Sequence, residues 1–409
     1  MNSQLPFAHL RVLELASVLA GPQVGQFFAE LGAEVLKVES PAGDVTRTCK
    51  TSAETAVPEA VAAAVDAAVS AYFSASNWGK QSLILDLTTP AGQAALHRLA
   101  AAADITLASY KPGDAEKLGA DYATLSQANP RLIYGHLTGY GPENPRAGYD
   151  AVLQAEAGFM HLNAPGPGQP PQKMPVAMVD LLAAHQLKEG LLTALFQRER
   201  TGHGALVQVS LLDSALAALA NQAATYLVTG HDPQPLGSGH PSIVPYGTVY
   251  RAADGRQLVL AVGSYGQFRQ LCAALGQPGW AIDNRFASNA ARVTHRAELE
   301  VLLTHCIAVL DGDLLLTELA RRAVPAGAVR SVGEALRQPL AQAMRLPAAE
   351  GAGAVAGLRT VAFRSTAWPM VSQLSAPPRL GSAAGAGFSA QPTAAGETAA
   401  VLPRVPFSG

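Results

Sequence analysis

Short apolar runs alternate with helical patterns through the first half of the chain. Gly21-Pro22 and Gly32 are typical of the start and the end of a helix, and a second helix is predicted to begin near Pro90. Strands separated by helices of about ten or more residues form parallel βαβ units. The pattern therefore predicts a Rossmann-like α/β domain with a parallel sheet. Its predicted strands are Leu10–Leu15, Glu34–Val38, Ser82–Asp86, Asp104–Ala108 and Leu132–Leu137.

A longer helical pattern follows the strands. Apolar residues recur at helical spacing from Asp180 to Arg200, and Thr201-Gly202-His203-Gly204 is predicted to end that helix. The next segments are a predicted strand, Leu206–Ser210, and a predicted second buried helix, Leu211–Val228.

The pattern changes after Pro233. Two β-like runs, Thr248–Arg251 and Gln257–Val262, flank Ala-Ala-Asp-Gly, which is typical of a hairpin. We therefore predict a smaller α+β domain at 231–334, inserted between a large domain at 1–230 and residues 335–409, which complete the large domain. The predicted helices of the small domain are Tyr265–Leu275, Thr294–Leu310 and Asp313–Arg322.

Two further segments are rich in small residues. Residues 57–72 favour helix by propensity, but the pattern gives them no place in the fold. The tail from about Leu380 has no apolar period and is predicted to be loosely ordered.

Charge, hydropathy and cysteine content argue against a nucleic-acid-binding, a membrane-spanning or a disulfide-bonded protein. The formal net charge of −2 is close to neutral, so nothing favours binding to nucleic acid, which would require a basic face. The most apolar stretch, 206–227, contains several polar residues and is too polar to span a membrane. Cys49, Cys272 and Cys306 are odd in number and far apart, which favours a reducing compartment over a disulfide framework. With no secretory pattern at the start, the expected location is the cytoplasm.

Asp180 lies where an apolar run turns into a helix. A carboxylate there can accept first-turn N–H groups as an ordinary N-cap. It can also serve as a nucleophile toward a thioester, provided that it stays ionised in a pocket that excludes water. Position alone leaves both interpretations open.

Besides Asp180, several glycines and basic residues are candidates for binding a ligand. Gly139-Tyr140-Gly141 follows a strand, where glycines let the backbone approach a ligand, although simple turn chemistry explains them equally well. Arg47, Lys80 and Lys111 lie beside strands of the predicted sheet, whose carboxyl ends are the usual ligand site. Each of the three is also consistent with a solvated surface charge.

Several established motifs are missing from the sequence. It has neither the G-x-G-x-x-G fingerprint after the first strand nor a G-x-x-x-x-G-K-[ST] P-loop. Its ten histidines show no metal-ligand spacing, and the G-x-S-x-G elbow of the α/β-hydrolases is also missing. Metal-free chemistry without a permanently bound cofactor is therefore expected.

In chain order, several motifs resemble CoA-transferase family III, the group of formyl-CoA transferase, carnitine CoA-transferase and the acyl-CoA racemases. The resemblance is clear to about Leu336 and fades after it. It is carried by Leu10–Glu39 (LRVLELASVLAGPQVGQFFAELGAEVLKVE), Gly43–Arg47, Gly79–Leu87, Tyr110–Gly113, Asn129–Gly141 (NPRLIYGHLTGYG), Tyr149–Met160 and Val176–Ser214.

The resemblance implies a Rossmann-like large domain, a small domain and two interlocked protomers, hence a homodimer. It places the family's catalytic aspartate at Asp180, which would carry first the acyl group and then the CoA, with a CoA thioester and a carboxylic acid as the substrates. With the basic candidates above, the expected CoA-binding residues are Val18, Leu19, Ala20, Arg47, Lys80, Ser109, Tyr110 and Lys111. The expected substrate-pocket residues are Gly139, Tyr140, Gly141, Tyr149, Gln154, Gly239 and His240.

The resemblance also bears on the kind of reaction. The racemases carry a histidine near the place of Tyr149, and a phenol with an ordinary pKa of about 10 is a poor base at neutral pH. That departure favours a transferase over a racemase or epimerase. Motifs such as Gly239-His240-Pro241 resemble family members that use succinyl-CoA and other dicarboxylates. A homologue that binds CoA without catalysis stays open as an alternative.

Overall fold

The computed structural model describes residues 5–56, 69–347, 356–371, 374–383 and 387–388. Six parallel strands form the central sheet in the order β3-β2-β1-β4-β5-β6. This order reverses between β1 and β4, as it does in the doubly wound Rossmann arrangement, and confirms the predicted fold class. The strands are β1 (Arg11–Leu15), β2 (Glu34–Glu39), β3 (Lys80–Ile84), β4 (Ile105–Ala108), β5 (Ile133–Thr138) and β6 (Ala205–Ser210).

Helices cover both faces of the sheet. Side chains alternate along each strand, so that Val12 packs on one side with the helices Ala20–Glu30 and Met178–Thr201, whereas Leu13 packs on the other side against the helix Pro90–Ala101. The helices of this region are α1 (Ala20–Glu30), α2 (Ser52–Thr55), α3 (Ala71–Ser74), α4 (Pro90–Ala101), α5 (Asp114–Lys117), α6 (Tyr122–Ala128), α7 (Asp150–Glu156), α8 (Phe159–Leu162), α9 (Met178–Thr201), α10 (Leu211–Ala218) and α11 (Ala220–Thr229), with a 3₁₀ turn at Val45–Thr48.

A second hydrophobic core lies between residues 244 and 324. It packs on an antiparallel sheet of β7 (Tyr246–Arg251), β8 (Gln257–Ala261) and β9 (Ala326–Ala328), which includes the expected hairpin. Its helices, with a 3₁₀ turn at Pro278–Ala281, are α12 (Tyr265–Ala274), α13 (Asn289–Thr294), α14 (Arg296–Ala308) and α15 (Gly312–Arg321).

The chain then returns to the first core. After α16 (Val332–Arg337) and the 3₁₀ turn Pro339–Met344, β10 (Arg345–Pro347) pairs with β11 (Ala356–Leu358). Val361 joins the core that α1 and α9 share, and the Thr360 N–H donates to the Glu30 carboxylate at 2.6 Å. The domain boundaries near 230 and 335 stay predictions. Among the described helices, none is both long and apolar enough to cross a bilayer.

One expectation about the helices was wrong. Residues 211–228 form two helices rather than one, with a break at Leu219 and Ala220, and the second helix is largely exposed. Leu227 is 80% and Val228 84% exposed. The prediction of a buried helix failed because an apolar period shows that a helix has an apolar face but not what covers that face. Of the alanine-rich segment, 57–68 lies outside the described residues, and so do 384–386 and 389–409 of the tail.

Candidate active site

Asp180 is the third residue of α9 and is buried, with 9% of its surface exposed. The residue in the N-cap position is Ala177, and the Val179 N–H donates to Asp150 instead, so Asp180 is not the helix cap. Within the described part of the chain, no group donates a hydrogen bond to the Asp180 carboxylate or forms an ion pair with it. The N-cap interpretation of Asp180 is therefore wrong.

The surroundings of Asp180 change its acidity. Burial and, to a smaller extent, the nearby charge of Asp150 together raise the pKa of this carboxyl to about 7. A poorly solvated carboxylate without a cation is more basic, and therefore a better nucleophile, than a carboxylate in water. Such a group suits acyl transfer, in which the carboxylate oxygen attacks an activated carbonyl.

Asp150 and Gln154 brace the segment that leads into α9. The Asp150 carboxylate accepts the Val179 N–H at 2.9 Å and the Gln154 side-chain amide at 2.8 Å. Gln154 is 1% exposed, and its carbonyl accepts the Met174 N–H at 2.9 Å. These bonds tie α7 to the backbone on the N-terminal side of Asp180, so the carboxylate has a fixed position.

The glycine segment after β5 approaches another glycine closely. A Cβ on Gly139 would overlap the Gly148 backbone, and a Cβ on Gly148 would overlap Gly139, so neither position tolerates a side chain. The Arg146 guanidinium lies 4.2 Å from the centre of the Tyr140 ring. Tyr149, just before α7, is 68% exposed and makes no cap hydrogen bond.

The predicted CoA loop lies at the point where the strand order reverses. The Ser17 N–H donates to the Ser109 hydroxyl at 3.2 Å, which joins the segments that follow β1 and β4. Ligands of open α/β sheets bind at such a switch point. In the described residues, no group accepts the N–H of Leu19 or Ala20, at the start of α1. These groups are therefore available to a ligand oxygen.

The predicted CoA-binding basic residues differ in exposure. Lys80 is 3% exposed, and its ammonium contacts Glu14, the Asn77 side chain and the Pro22 carbonyl. Arg47 is also buried, with two nitrogens on Glu39. Neither placement supports a direct contact with CoA, because both side chains are buried and their nitrogens already donate to protein oxygens. Lys111 is exposed and lies beside Tyr110, whose phenol is half-buried and has its pKa raised to about 12 by burial.

Beneath the CoA loop lies a buried charged cluster, which we define as Glu14, Lys37, Asp44 and Lys80. Lys37 contacts both carboxylates at 3.0 Å, and Lys80 contacts Glu14 at 2.7 Å. Burial alone would lower the pKa of Lys37, but these carboxylates outweigh burial and raise it. A Cβ on Gly25 would overlap the Glu14 carboxylate, so only glycine lets α1 lie this close to the cluster.

Sequence reasoning missed three residues of this region as site residues. Asp150 and Asp44 each accept a backbone N–H from a site segment, and the only sequence signal was their position at helix starts. Tyr72, on α3, has a phenol pKa raised by burial and then by the charge of Asp180, so it lies within electrostatic reach of that carboxylate. Nothing in the local sequence pattern indicated that Tyr72 would lie near Asp180.

Gly239 and His240 lie in the segment before β7. The His240 ring packs on Tyr246 with centroids 5.2 Å apart, and the His240 carbonyl accepts Arg296 at 2.7 Å. The role of both residues in the substrate pocket stays a prediction. No group of three or more His, Cys, Asp or Glu in the described ranges is placed to hold a metal ion.

Comparison with known proteins agrees with this geometry. The chain is 40% identical to a succinate–glutarate CoA-transferase of Agrobacterium fabrum, over 88% of this chain and 89% of that one. It is 33% identical to a succinyl-CoA–D-citramalate CoA-transferase of Chloroflexus aurantiacus, over 83% of each. The crystal structure of a CaiB/BaiF family protein from Brucella suis matches with a TM-score of 0.80 and 38% identity, covering 93% of this chain and 97% of that one.

The family model for CoA-transferase family III matches residues 7–383, which is most of the chain. The sheet order and the relatives named as CoA-transferases agree with that match. The chain belongs to CoA-transferase family III and is a CoA-transferring enzyme.

Proposed function

We propose that this enzyme moves CoA from succinyl-CoA, or a similar acyl-CoA, to a dicarboxylic acid, with Asp180 as the nucleophile. The observation that carries the proposal is the Asp180 carboxylate, which is buried and has no hydrogen-bond or ion-pair partner in the described part of the chain. Relatives at 33–40% identity bear names that combine succinyl-CoA or succinate with glutarate, citramalate or mesaconate.

The proposed reaction is a series of acyl-transfer steps at the Asp180 carboxylate. An Asp180 oxygen attacks the thioester carbonyl, the C–S bond breaks, and CoA leaves as a thiolate. A mixed anhydride between the acyl group and the Asp180 carboxyl remains. The thiolate then attacks the Asp180 carbonyl carbon, which releases the donor acid and leaves an aspartyl-CoA thioester. The acceptor carboxylate repeats the two steps in reverse, so no water or oxidant is consumed. This sequence follows from the family resemblance.

The geometry around Asp180 supports each requirement of this scheme. A carboxylate without a cation keeps its nucleophilicity, and burial limits access of the water that would hydrolyse the anhydride. The brace through Asp150 and Gln154 holds the attacking oxygen in one place, which lowers the entropic cost of attack. On the family resemblance, we also place Gly139, Tyr140, Gly141, Tyr149, Gln154, Gly239 and His240 in the substrate pocket.

We place CoA at the switch point between β1 and β4. Val18, Leu19 and Ala20 face it from one side, and Ser109, Tyr110 and Lys111 from the other. The exposed Lys111 ammonium can bind a CoA phosphate. The buried Lys80 and Arg47 instead hold the neighbouring segments in place through their contacts with Pro22 and Glu39.

We also propose an interlocked homodimer in the cytoplasm. The exposed apolar side chains of α10 and α11, among them Leu216, Tyr226, Leu227 and Val228, form a face that a second copy of the chain would cover. All three cysteines are free thiols, as is usual in a reducing compartment.

Mass spectrometry tests the reaction directly. The purified protein is mixed with succinyl-CoA and a panel of mono- and dicarboxylic acids, and the new acyl-CoA species are identified. We expect a dicarboxyl-CoA to form without net loss of CoA esters, together with a CoA adduct on the peptide that contains Asp180. Loss of thioester without a new one would indicate hydrolysis, and an unchanged succinyl-CoA pool across the panel would contradict the proposed donor.

A further inference from the structure

Two side chains of the buried charged cluster hold the loop that follows β1. The Lys37 ammonium donates to the Ala16 carbonyl at 2.7 Å, and the Val18 N–H donates to the Asp44 carboxylate at 3.2 Å. The two side chains contact each other at 3.0 Å. One ion pair therefore holds both ends of residues 16–18.

Val18 has a backbone conformation that its side chain disfavours. Its φ is +71°, in the left-handed region, where a β-branched residue is a clear outlier. Without an external hold, valine would move to the extended or right-handed region. The hydrogen bond to Asp44 is a contact that opposes this movement.

Asp44 is itself rigidly placed. It is 5% exposed, and its carboxylate also accepts the N–H and the hydroxyl of Thr46 at 2.9 and 2.7 Å. Its own N–H donates to Glu39 at 2.9 Å. A side chain held from this many directions can fix the geometry of the loop that it contacts.

We propose that Asp44 and Lys37 are positioning residues for acyl-CoA binding. They hold residues 16–18, with Val18 in the left-handed region, in the shape that presents Leu19 and Ala20 to the CoA thioester. The inference rests on the proposed function, because it takes this loop as part of the CoA site. The Asp44 carboxylate contacts Val18, Thr46 and Lys37, so it acts on the loop through Val18.

A double-mutant cycle tests the inference. Asp44→Ala removes the acceptor, so we expect KM for succinyl-CoA to rise about tenfold, whereas KM for the acid and kcat change much less. Val18→Gly allows a positive φ without steric cost. The double variant should therefore have a KM for succinyl-CoA about threefold lower than that of Asp44→Ala alone. Asp44→Asn keeps an oxygen for the Val18 N–H and should raise KM less than Asp44→Ala does.

Arg198→Met is the matched control. Arg198 is buried and pairs with Asp104, which lies at the amino-terminal end of β4, whereas the CoA loop follows the carboxyl end of β1. This variant should lose stability without a selective rise in KM for succinyl-CoA. A similar selective rise in Arg198→Met would mean that lost stability alone explains the effect and would overturn the inference. It is also overturned if Asp44→Ala raises both KM values equally, or if Val18→Gly recovers nothing.

Calorimetric binding of CoA, without turnover, separates this inference from the proposed function. Failure of the wild-type protein to bind CoA would refute the CoA site and therefore the proposed function. If wild type binds and transfers CoA, a binding loss in Asp44→Ala that Val18→Gly partly reverses supports the positioning role. Unchanged CoA binding in Asp44→Ala would refute that role and leave the transfer reaction intact.

Discussion

Asp180 and Asp44 are both buried carboxylates of the sheet domain, but their surroundings are opposite. Asp44 contacts Lys37 at 3.0 Å and accepts three backbone or hydroxyl donors. Burial would raise its pKa, but the Lys37 charge and these hydrogen bonds outweigh burial and lower it. Asp180 has no such partner among the described residues, and burial raises its pKa to about 7.

This difference separates a structural role from a chemical one. A carboxylate whose oxygens are all satisfied stabilises the segments that donate to it and is a weak nucleophile. A buried carboxylate without partners costs stability but keeps its electron pairs free for a substrate carbonyl. Reactive groups are therefore recognised by missing partners as much as by position.

The largest expected effect comes from removing the unpaired carboxylate. Asp180→Asn should lower kcat by about four orders of magnitude, because an amide oxygen cannot form the anhydride. The matched control is Asp213→Asn, since Asp213 is also the third residue of a helix but is exposed. Steady-state transfer assays compare the two. If Asp180→Asn kept near-normal turnover, the nucleophile would have to be another group.

Substitutions of two lysines distinguish the buried charged cluster, which should affect stability, from the proposed CoA site, which should affect binding. Lys80→Met should destabilise the fold by about 3 kcal/mol, since it breaks a buried ion pair with Glu14. Lys111→Met should leave stability unchanged and raise KM for succinyl-CoA about tenfold, because it removes an exposed cation. Urea unfolding and initial rates measure both. A selective KM rise in Lys80→Met without loss of stability would restore Lys80 as a CoA ligand.

The sequence predicted the sheet well because its signals are local. Apolar runs at Leu10, Glu34, Asp104 and Leu132 lie at observed strands, displaced by a residue at most, and only β3 begins two residues before its prediction. A buried parallel strand has an apolar run of its own, and a helix carries its own caps, so both can be read without tertiary information.

The roles of charged side chains were harder to predict. Lys80 and Lys111 both lie beside strands, and no local pattern distinguishes them, yet Lys80 is buried against Glu14 and Lys111 is exposed. Glu14, the partner of Lys80, is 66 positions away in sequence, so no local pattern reveals the pair. Asp180 was predicted as the nucleophile from the family resemblance alone. Its lack of hydrogen-bond and ion-pair partners is a property of the tertiary structure, which no local pattern reveals.

The third prediction is that the two aspartates affect stability with opposite signs. The folded pKa of Asp180, about 7, lies above the ordinary 3.8, so ionisation opposes folding. Asp180→Asn should therefore stabilise the protein by about 2 kcal/mol at pH 8, and the gain should shrink as the pH falls from 7 to 4. Thermal unfolding across this range measures it, and a gain that does not change with pH would contradict the raised pKa.

Asp44→Asn is the opposite case in the same experiment. The folded pKa of Asp44 is lowered, so its contribution is fully present above the ordinary value of 3.8 and is lost only as the pH falls through the folded pKa. The variant should be less stable than wild type by a constant amount from pH 8 to pH 5. A loss that fades between pH 8 and pH 5 would show that Asp44 is not held ionised by Lys37.

The smallest expected effect concerns Asp150, which acts on Asp180 in two ways. Its carboxylate accepts the Val179 N–H, and its charge adds to the effect of burial on the Asp180 pKa. Asp150→Asn keeps an oxygen for that N–H but removes the charge. The acid limb of the kcat profile, which we expect near pH 7 in wild type, should therefore move to lower pH with only a modest change in the plateau.

Asp150→Ala separates the two contributions, because it removes the acceptor together with the charge. The acid limb should move as it does in Asp150→Asn, and the plateau kcat should fall about tenfold further as the start of α9 loses its brace. An acid limb that stays in place in both variants would mean that burial alone sets the Asp180 pKa. In that case Asp150 would position the nucleophile without adjusting its basicity, and the reactivity of Asp180 would depend on the missing cation and the exclusion of water.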